Sequence, residues 1–167
     1  EEARETVIPV YMGLITQIDD QLGVLFKFME ERGLMDDTMI VFTSDHGDYL
    51  GDHWMGDKDY FHAPAVQMPL IIADPSTSAD RTRGTVDDSL VELIDLLPTF
   101  VEFNGGEPLY NILDGLSLMP KLRGEDVQWR DVAVSEYDYS CQVFRPETGR
   151  VALECRTYMI ASTEWKY

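Results

Sequence analysis

Apolar residues at Ile8, Met12, Ile15, Ile18, Leu22, Leu25, Phe26 and Met29 recur at intervals of three and four, the spacing that gathers side chains on one stripe of an α-helix. The pattern predicts a long amphipathic helix whose stripe belongs to the core. Pro9 is tolerated in its first turn, and Gly33 supplies the C-terminal cap. A short turn at Asp36, Asp37 and Thr38 leads into residues 39–43 (MIVFT), whose β-branched and aromatic content suits a buried strand. Residues 69–73 (PLIIA) read as another strand, with proline at the first position, where a strand accepts it. Between the two strands, residues 62–67 predict a single helical turn.

Further along, residues 74–84 have the composition of a surface loop and 86–90 read as a short extended segment. Leu93, Leu96, Leu97, Phe100, Val101 and Phe103 predict a second helix, ended by Gly105-Gly106 and interrupted or kinked by Pro98. Residues 107–124 are loop-rich and are expected to run over the surface. Beyond Trp129 the texture changes to short β-favouring segments at 132–136, 151–154 and 157–161, which suit a small antiparallel sheet, and 164–167 read as a turn entering a further strand. The fold class is therefore α/β: part of a mostly parallel sheet flanked by helices, followed by the start of a small antiparallel C-terminal sheet.

The polar chemistry is concentrated in residues 43–58 (TSDHGDYLGDHWMGDK), immediately after the first strand. Asp45 and His46 fall just past the carboxyl end of that strand, where open α/β sheets place ligands, and Gly47 permits a turn that brings both side chains to one ion. All 3 histidines of the chain, His46, His53 and His62, lie in or next to this stretch. Imidazole and carboxylate donors suit zinc, manganese, iron and other divalent ions, and ligand type alone leaves the identity open. Three readings stand side by side here. His46, His53 and His62 form a self-contained three-histidine site; Asp45 and His46 form half of a larger site; or the stretch is a solvated acidic loop whose histidines cap local amides.

Composition narrows the partners. The 167 residues suffice for a well-buried core, and 44% hydrophobic with 26% charged residues is ordinary for a folded domain. With 13 Lys and Arg against 31 Asp and Glu, the net charge of −18 argues against nucleic acid or an anionic membrane as a partner, since both require a basic face. A small anionic substrate is still compatible, since a divalent ion and one lysine reverse the potential locally. No apolar run reaches the roughly 20 residues of a membrane span. Two cysteines, Cys141 and Cys155, fit a reducing compartment better than a disulfide framework, which gives a cytoplasmic expectation.

Taken in order, IDDQLG (18–23), VFTSDHGD (41–48), LGDH (50–53), MPLII (68–72), LIDLLPTF (93–100), DGLSLMPKLRG (114–124) and EWKY (164–167) resemble the sulfatase-like branch of the alkaline phosphatase superfamily. Within that branch the chain looks most like the C-terminal half of phosphonate monoester hydrolases and their arylsulfatase relatives. The resemblance implies that Asp45 and His46 coordinate one active-site divalent ion (Mn, Zn, Fe or Ca) and that Lys58 contacts the transferred anionic group or the leaving oxygen. It implies that residues 1–125 are the C-terminal half of an α/β domain and 126–167 the beginning of a small antiparallel β subdomain. Asp57 stands before the lysine where relatives often have glycine.

The resemblance also implies a nucleophile, commonly formylglycine made from cysteine in a Cys-x-Pro-x-Arg motif, that lies outside this chain. Cys141 to Arg145 is a near miss, rejected because valine replaces the proline and the segment lies downstream of the Asp-His pair. Cys155 reads as a small core hydrophobe. The expected function is thus that of a fragment of a metal-dependent hydrolase of phosphonate, phosphate or sulfate monoesters, inactive alone. Its partners are a small anionic ester substrate and the missing N-terminal half of the same enzyme, with homo-oligomerisation left open. The rivals are a self-contained metal-binding or structural module, and a mutase or nucleotide phosphodiesterase of the same superfamily.

Overall fold

The computed structural model describes residues 2–139, 149 and 152–167, so Cys141 and Arg145 lie outside the described residues. The chain divides into two compact units, Glu1–Arg83 and Gly84–Tyr167.

The first unit opens with helix α1, Glu2–Glu31. Gly33, at φ 66°, ends it by donating to Glu30 O at 3.1 Å, while the Leu34 amide reaches back to Met29 O at 2.9 Å. This pair of bonds satisfies carbonyls that the last turn leaves open, and the left-handed φ is why glycine stands there. The expectation that the α1 stripe is core is corrected. Met29 is buried, but Met12, Ile15, Ile18 and Leu25 are 54, 45, 51 and 48% exposed. A helix of 30 residues is about 45 Å long. The two strands described in this unit, each about 13 Å long, offer far too little apolar surface to cover it.

Those strands are β1, Ile40–Thr43, and β2, Leu70–Ala73, close to the predicted positions. They pair antiparallel, with Ile40 opposite Ala73 and Thr43 opposite Leu70. The mostly parallel sheet is therefore not seen among the described residues. A parallel pair needs a crossover element to return the chain to the same end of the sheet. The connection from β1 to β2 contains only a short 3₁₀ turn, Asp52–Trp54, and the single helical turn α2, Ala63–Val66.

In the second unit a 3₁₀ turn, Leu93–Asp95, runs into helix α3, Leu96–Phe103. Pro98 falls in the first turn of α3, where no amide needs a helical acceptor, so it stays within the helix; the change from 3₁₀ to α comes at Leu96. Gly105, at φ 78°, and Gly106 close α3 with the same pair of bonds that ends α1, to Glu102 O and Val101 O, both at 2.9 Å. Residues 107–124 do not simply cross the surface. Ser117, Leu118 and Met119 are buried, and Met119–Leu122 form helix α4. Thr99 explains the docking: its hydroxyl donates to Asp95 O at 2.6 Å and accepts the Leu118 amide at 2.8 Å.

Asp95 is fully buried and takes four donors, the amides of Glu92 and Leu116 at 2.8 Å and both terminal nitrogens of Arg130 at 2.5 Å. Arg130 also meets Glu92 at 3.1 Å. A buried carboxylate is tolerable only when charge-paired and saturated with donors in this way.

The expected antiparallel sheet is present as β3, Ala133–Asp138, paired with β4, Arg156–Ala161. Lys166 bridges to Ala161, and the Ile160 and Tyr167 backbones exchange two bonds at 2.8 Å, so the predicted terminal turn does lead into further pairing. Of the strand predicted at 151–154, Val151 lies outside the described residues and the rest is not a strand: Ala152–Cys155 is a 3₁₀ turn, and Cys155 is half-buried instead of core. No helix among the described residues is long and apolar enough to cross a membrane.

Two outcomes test the second unit. Arg130→Met leaves the Asp95 carboxylate buried and unpaired, so urea titration should show a loss of about 3–5 kcal/mol. Asp87 is held below the usual carboxylate range first by the Ser89 hydroxyl, with the Ser89 amide and Lys121 adding to it against the opposing effect of burial. A depressed folded pKa contributes stability above the unfolded value and loses it as pH falls through the folded one. Asp87→Asn should therefore lower Tm at pH 6, and the difference should shrink below about pH 4.

Candidate functional site

β1 ends at Thr43, and the chain then enters a polar loop whose first residues are fixed to their own backbone. The Ser44 hydroxyl donates to His46 O at 2.8 Å, and the His46 amide to Asp45 Oδ1 at 3.0 Å. Gly47 has ordinary negative φ, so the freedom to turn is not what requires glycine here. Its amide donates to Ala65 O at 2.9 Å, and a Cβ at this position would lie 1.9 Å from Pro64 O. Position 47 is glycine because the α2 backbone packs directly against it.

The three residues singled out from the sequence converge. His46 Nδ1 donates to Gly47 O at 2.7 Å, which assigns the proton to Nδ1 and leaves a lone pair on Nε2. Asp45 Oδ2 lies 3.7 Å from that Nε2, and Lys58 Nζ donates to it at 2.7 Å. The donor set fits a divalent ion. With bonds of about 2.0–2.2 Å, a nitrogen and an oxygen up to about 4 Å apart can share one metal. The Nδ1 bond to a carbonyl is the orienting contact that metal-bound histidines commonly make. One lone pair cannot serve an ion and an ammonium together, so Lys58 gives up this bond when Nε2 is metallated. Among the described residues no group of three or more His, Cys, Asp and Glu is placed to hold a metal.

The three-histidine site is not assembled. His53 and His62 stack on each other at 4.2 Å with rings 19° apart, while His46 faces Lys58. His62 instead belongs to a cluster around Tyr49, which is fully buried. The Tyr49 hydroxyl donates to Asp59 O at 2.8 Å and lies 2.7 Å from His62 Nδ1, whose proton it accepts. Burial, outweighing a hydrogen bond from the His62 backbone, raises the pKa of this hydroxyl above its ordinary value, with the nearby Asp59 and Tyr60 adding to the rise. Tyr49 was not identified from sequence. The stretch holds two large aromatics, Tyr49 and Trp54, and nothing in the sequence marks that the first is buried and the second exposed.

The loop is held in an uncommon conformation. Among the described residues every non-glycine with positive φ lies between Leu50 and Tyr60: Leu50, His53, Trp54, Asp57, Asp59 and Tyr60. Asp57, at φ 62°, occupies a left-handed position, which is the physical meaning of a glycine preference there; aspartate tolerates it better than most residues. On the far side of the loop, Arg4 of α1 lies against Gly51 and reaches Asp52 at 3.3 Å.

Residues 1–105 match the family model described as Sulfatase. The chain belongs to the sulfatase family. Among its sulfatase-family relatives, a multifunctional alkaline phosphatase superfamily protein, PehA, of Trinickia caryophylli is 38% identical over 161 residues, covering 94% of this chain and 31% of that protein. An arylsulfatase of Clostridium perfringens is 33% identical over 129 residues, covering 77% of this chain and 27% of that protein. Among solved structures, the phosphonate monoester hydrolase of Agrobacterium radiobacter superposes with a TM-score of 0.87 at 33% identity, over 95% of this chain and 32% of that one. The chain spans about a third of the length of these relatives.

The two unusual backbone positions give opposite expectations. Gly47→Ala drives a methyl into the Pro64 carbonyl and should cost about 1–3 kcal/mol. Asp57→Gly relieves a left-handed residue while loosening the unfolded chain, so stability should stay within about 1 kcal/mol. Urea midpoints of the two variants check both.

Proposed function

We propose that the chain is part of a metal-dependent hydrolase of phosphonate, phosphate or sulfate monoesters, in which Asp45 and His46 hold one divalent ion and Lys58 binds the transferred anionic group or the leaving oxygen. The observation that carries this reading is the meeting of Asp45 Oδ2 and Lys58 Nζ at a single nitrogen, His46 Nε2, within 3.7 and 2.7 Å. A carboxylate, an imidazole lone pair and an ammonium at one point form a site suited to an oxyanion bridged to a cation. Sulfatase membership and the arylsulfatase and phosphonate monoester hydrolase relatives support the same ester classes.

A divalent ion bound there supplies Lewis-acid polarisation of the ester oxygens. Within this chain, Gly47 O fixes the His46 tautomer, and the Ser44 hydroxyl ties down the His46 carbonyl. Lys58, once free of Nε2, carries its positive charge to where the departing oxygen gains negative charge, the role of lysine clamps in phosphoryl transfer. The nucleophile, formylglycine in this reading, comes from a part of the parent enzyme outside these 167 residues, since no Cys-x-Pro-x-Arg occurs in them. Residues 1–125 then form the C-terminal part of its α/β domain and 126–167 begin a β subdomain. The exposed apolar stripe of α1 supports packing against that remaining part of the enzyme, because a row of half-exposed Met, Ile and Leu is costly in water. The scarcity of cysteine supports a cytoplasmic setting.

In the intact enzyme, Asp45→Ala and His46→Ala should each lower bound metal and abolish metal-dependent turnover of an aryl phosphonate, phosphate or sulfate. Lys58→Ala should keep the metal and lower kcat by about 10²–10³. Metal content measured with kcat separates the roles, and wild-type rates in all three variants would refute the assignment. The isolated 167-residue chain should show no turnover above buffer.

A further inference from the structure

We propose that Tyr49 and His62 are a positioning pair for Lys58, a latch built on the buried Tyr49 that sets where the lysine stands relative to Asp45 and His46. This rests on the role proposed for Lys58 above. Lys58 has an exposed side chain, so the location of its ammonium depends on where its backbone is pinned. Both neighbours of Lys58 are bound by one residue. The Tyr49 amide donates to Asp57 O at 2.9 Å, and the Tyr49 hydroxyl donates to Asp59 O at 2.8 Å. Tyr49 itself is fully buried and lies three positions after His46, so the lysine and the metal-binding imidazole are referenced to the same short piece of backbone.

His62 completes the latch. Tyr49 has a single hydroxyl proton, committed to Asp59 O, so the 2.7 Å contact with His62 Nδ1 is an N–H donated to the phenol oxygen. The imidazole is held in turn by its stack on His53 at 4.2 Å and its edge contact with the Tyr49 ring at 5.7 Å. Asp57 and Asp59 sit at φ 62° and 119°, conformations that non-glycine residues leave unless other bonds hold them. The two carbonyls that Tyr49 binds belong to these two residues. Loss of the hydroxyl bond weakens the hold on the Asp59 side of the loop, and a displacement of the ammonium by even 1 Å is enough to cost up to about 100-fold in rate.

The test uses the metal-loaded intact enzyme and a series of substituted phenyl esters of the oxyanion class that it turns over. Tyr49→Phe keeps the ring and the amide bond but removes the hydroxyl. It should lower kcat by about 10- to 100-fold with KM changed less than about 3-fold, and with metal content unchanged. The deficit should grow with the basicity of the leaving phenol, as it should for Lys58→Ala, a dependence that a general loss of stability does not produce. In a Lys58→Ala background, Tyr49→Phe should have no further effect beyond about 2-fold. His62→Phe should copy Tyr49→Phe, while His62→Asn, which keeps a donor near the Nδ1 position, should recover most of the rate; this pair serves if Tyr49→Phe does not fold. If Lys58→Ala slows turnover but Tyr49→Phe and His62→Phe do not, or act additively with it, the latch is refuted and the proposed function stands. If Lys58→Ala leaves kcat unchanged, both are refuted.

Discussion

A run of left-handed residues is the constraint around which the first unit is built. Each non-glycine residue in that region costs on the order of 1 kcal/mol, and six of them occur between Leu50 and Tyr60. Such a run persists only if bonds outside it are worth more than the relaxation it forgoes. Those bonds are visible at its borders: the Asp48 carboxylate takes the Leu50 amide at 2.8 Å, Gly51 binds Met55 O at 2.8 Å, and Tyr49 spans from its own backbone to Asp57 and Asp59. The strained positions flank Lys58 of the candidate site on both sides.

The second unit solves a different problem with charge. Its hub, Asp95, lies where a 3₁₀ turn becomes an α-helix, and it joins the amide of residue 92, that of residue 116 and the guanidinium of residue 130. Three segments far apart in sequence are thereby set in one arrangement by one carboxylate. Trp129, next to Arg130, lies within 4.7 Å of Lys121 and donates its indole proton to Leu90 O at 2.8 Å, so the same neighbourhood also fixes an aromatic ring. Apolar burial alone is non-directional; this polar core supplies the register.

Much of the fold was legible because periodicity and punctuation act locally. The stripe from Ile8 to Met29 marked α1, and Gly33 and Gly105 marked helix ends because each must turn left-handed. Sheet direction was not legible, since pairing partners are set by what connects the strands and not by the strands themselves. The burial of 117–119 was missed for a related reason: Pro108, Gly115 and Pro120 signal loop, while the tie to Thr99 and Asp95 is long-range and leaves no periodic trace. In the candidate site, Asp45, His46 and Lys58 were singled out through a family pattern, and the structure brings the three side chains together. Gly47 was read as permitting a turn through backbone freedom, whereas the structure requires glycine there for backbone contact with Pro64. The polar stretch hid Tyr49 because it and Trp54 follow no period that would tell the buried ring from the exposed one.

The antiparallel pairing of β1 with β2 has a kinetic consequence. Thr43 faces Leu70, so the segment that carries Asp45, His46, Tyr49, Lys58 and His62 is a single closed loop whose two ends meet in a hairpin. Every contact described among those residues spans at most 13 positions, the longest being from Tyr49 to His62. Loop-closure entropy for such spans is small and elementary closure is fast. The segment is thus a low-contact-order element that can find its own geometry without waiting for long-range pairings, whose entropy makes them slow.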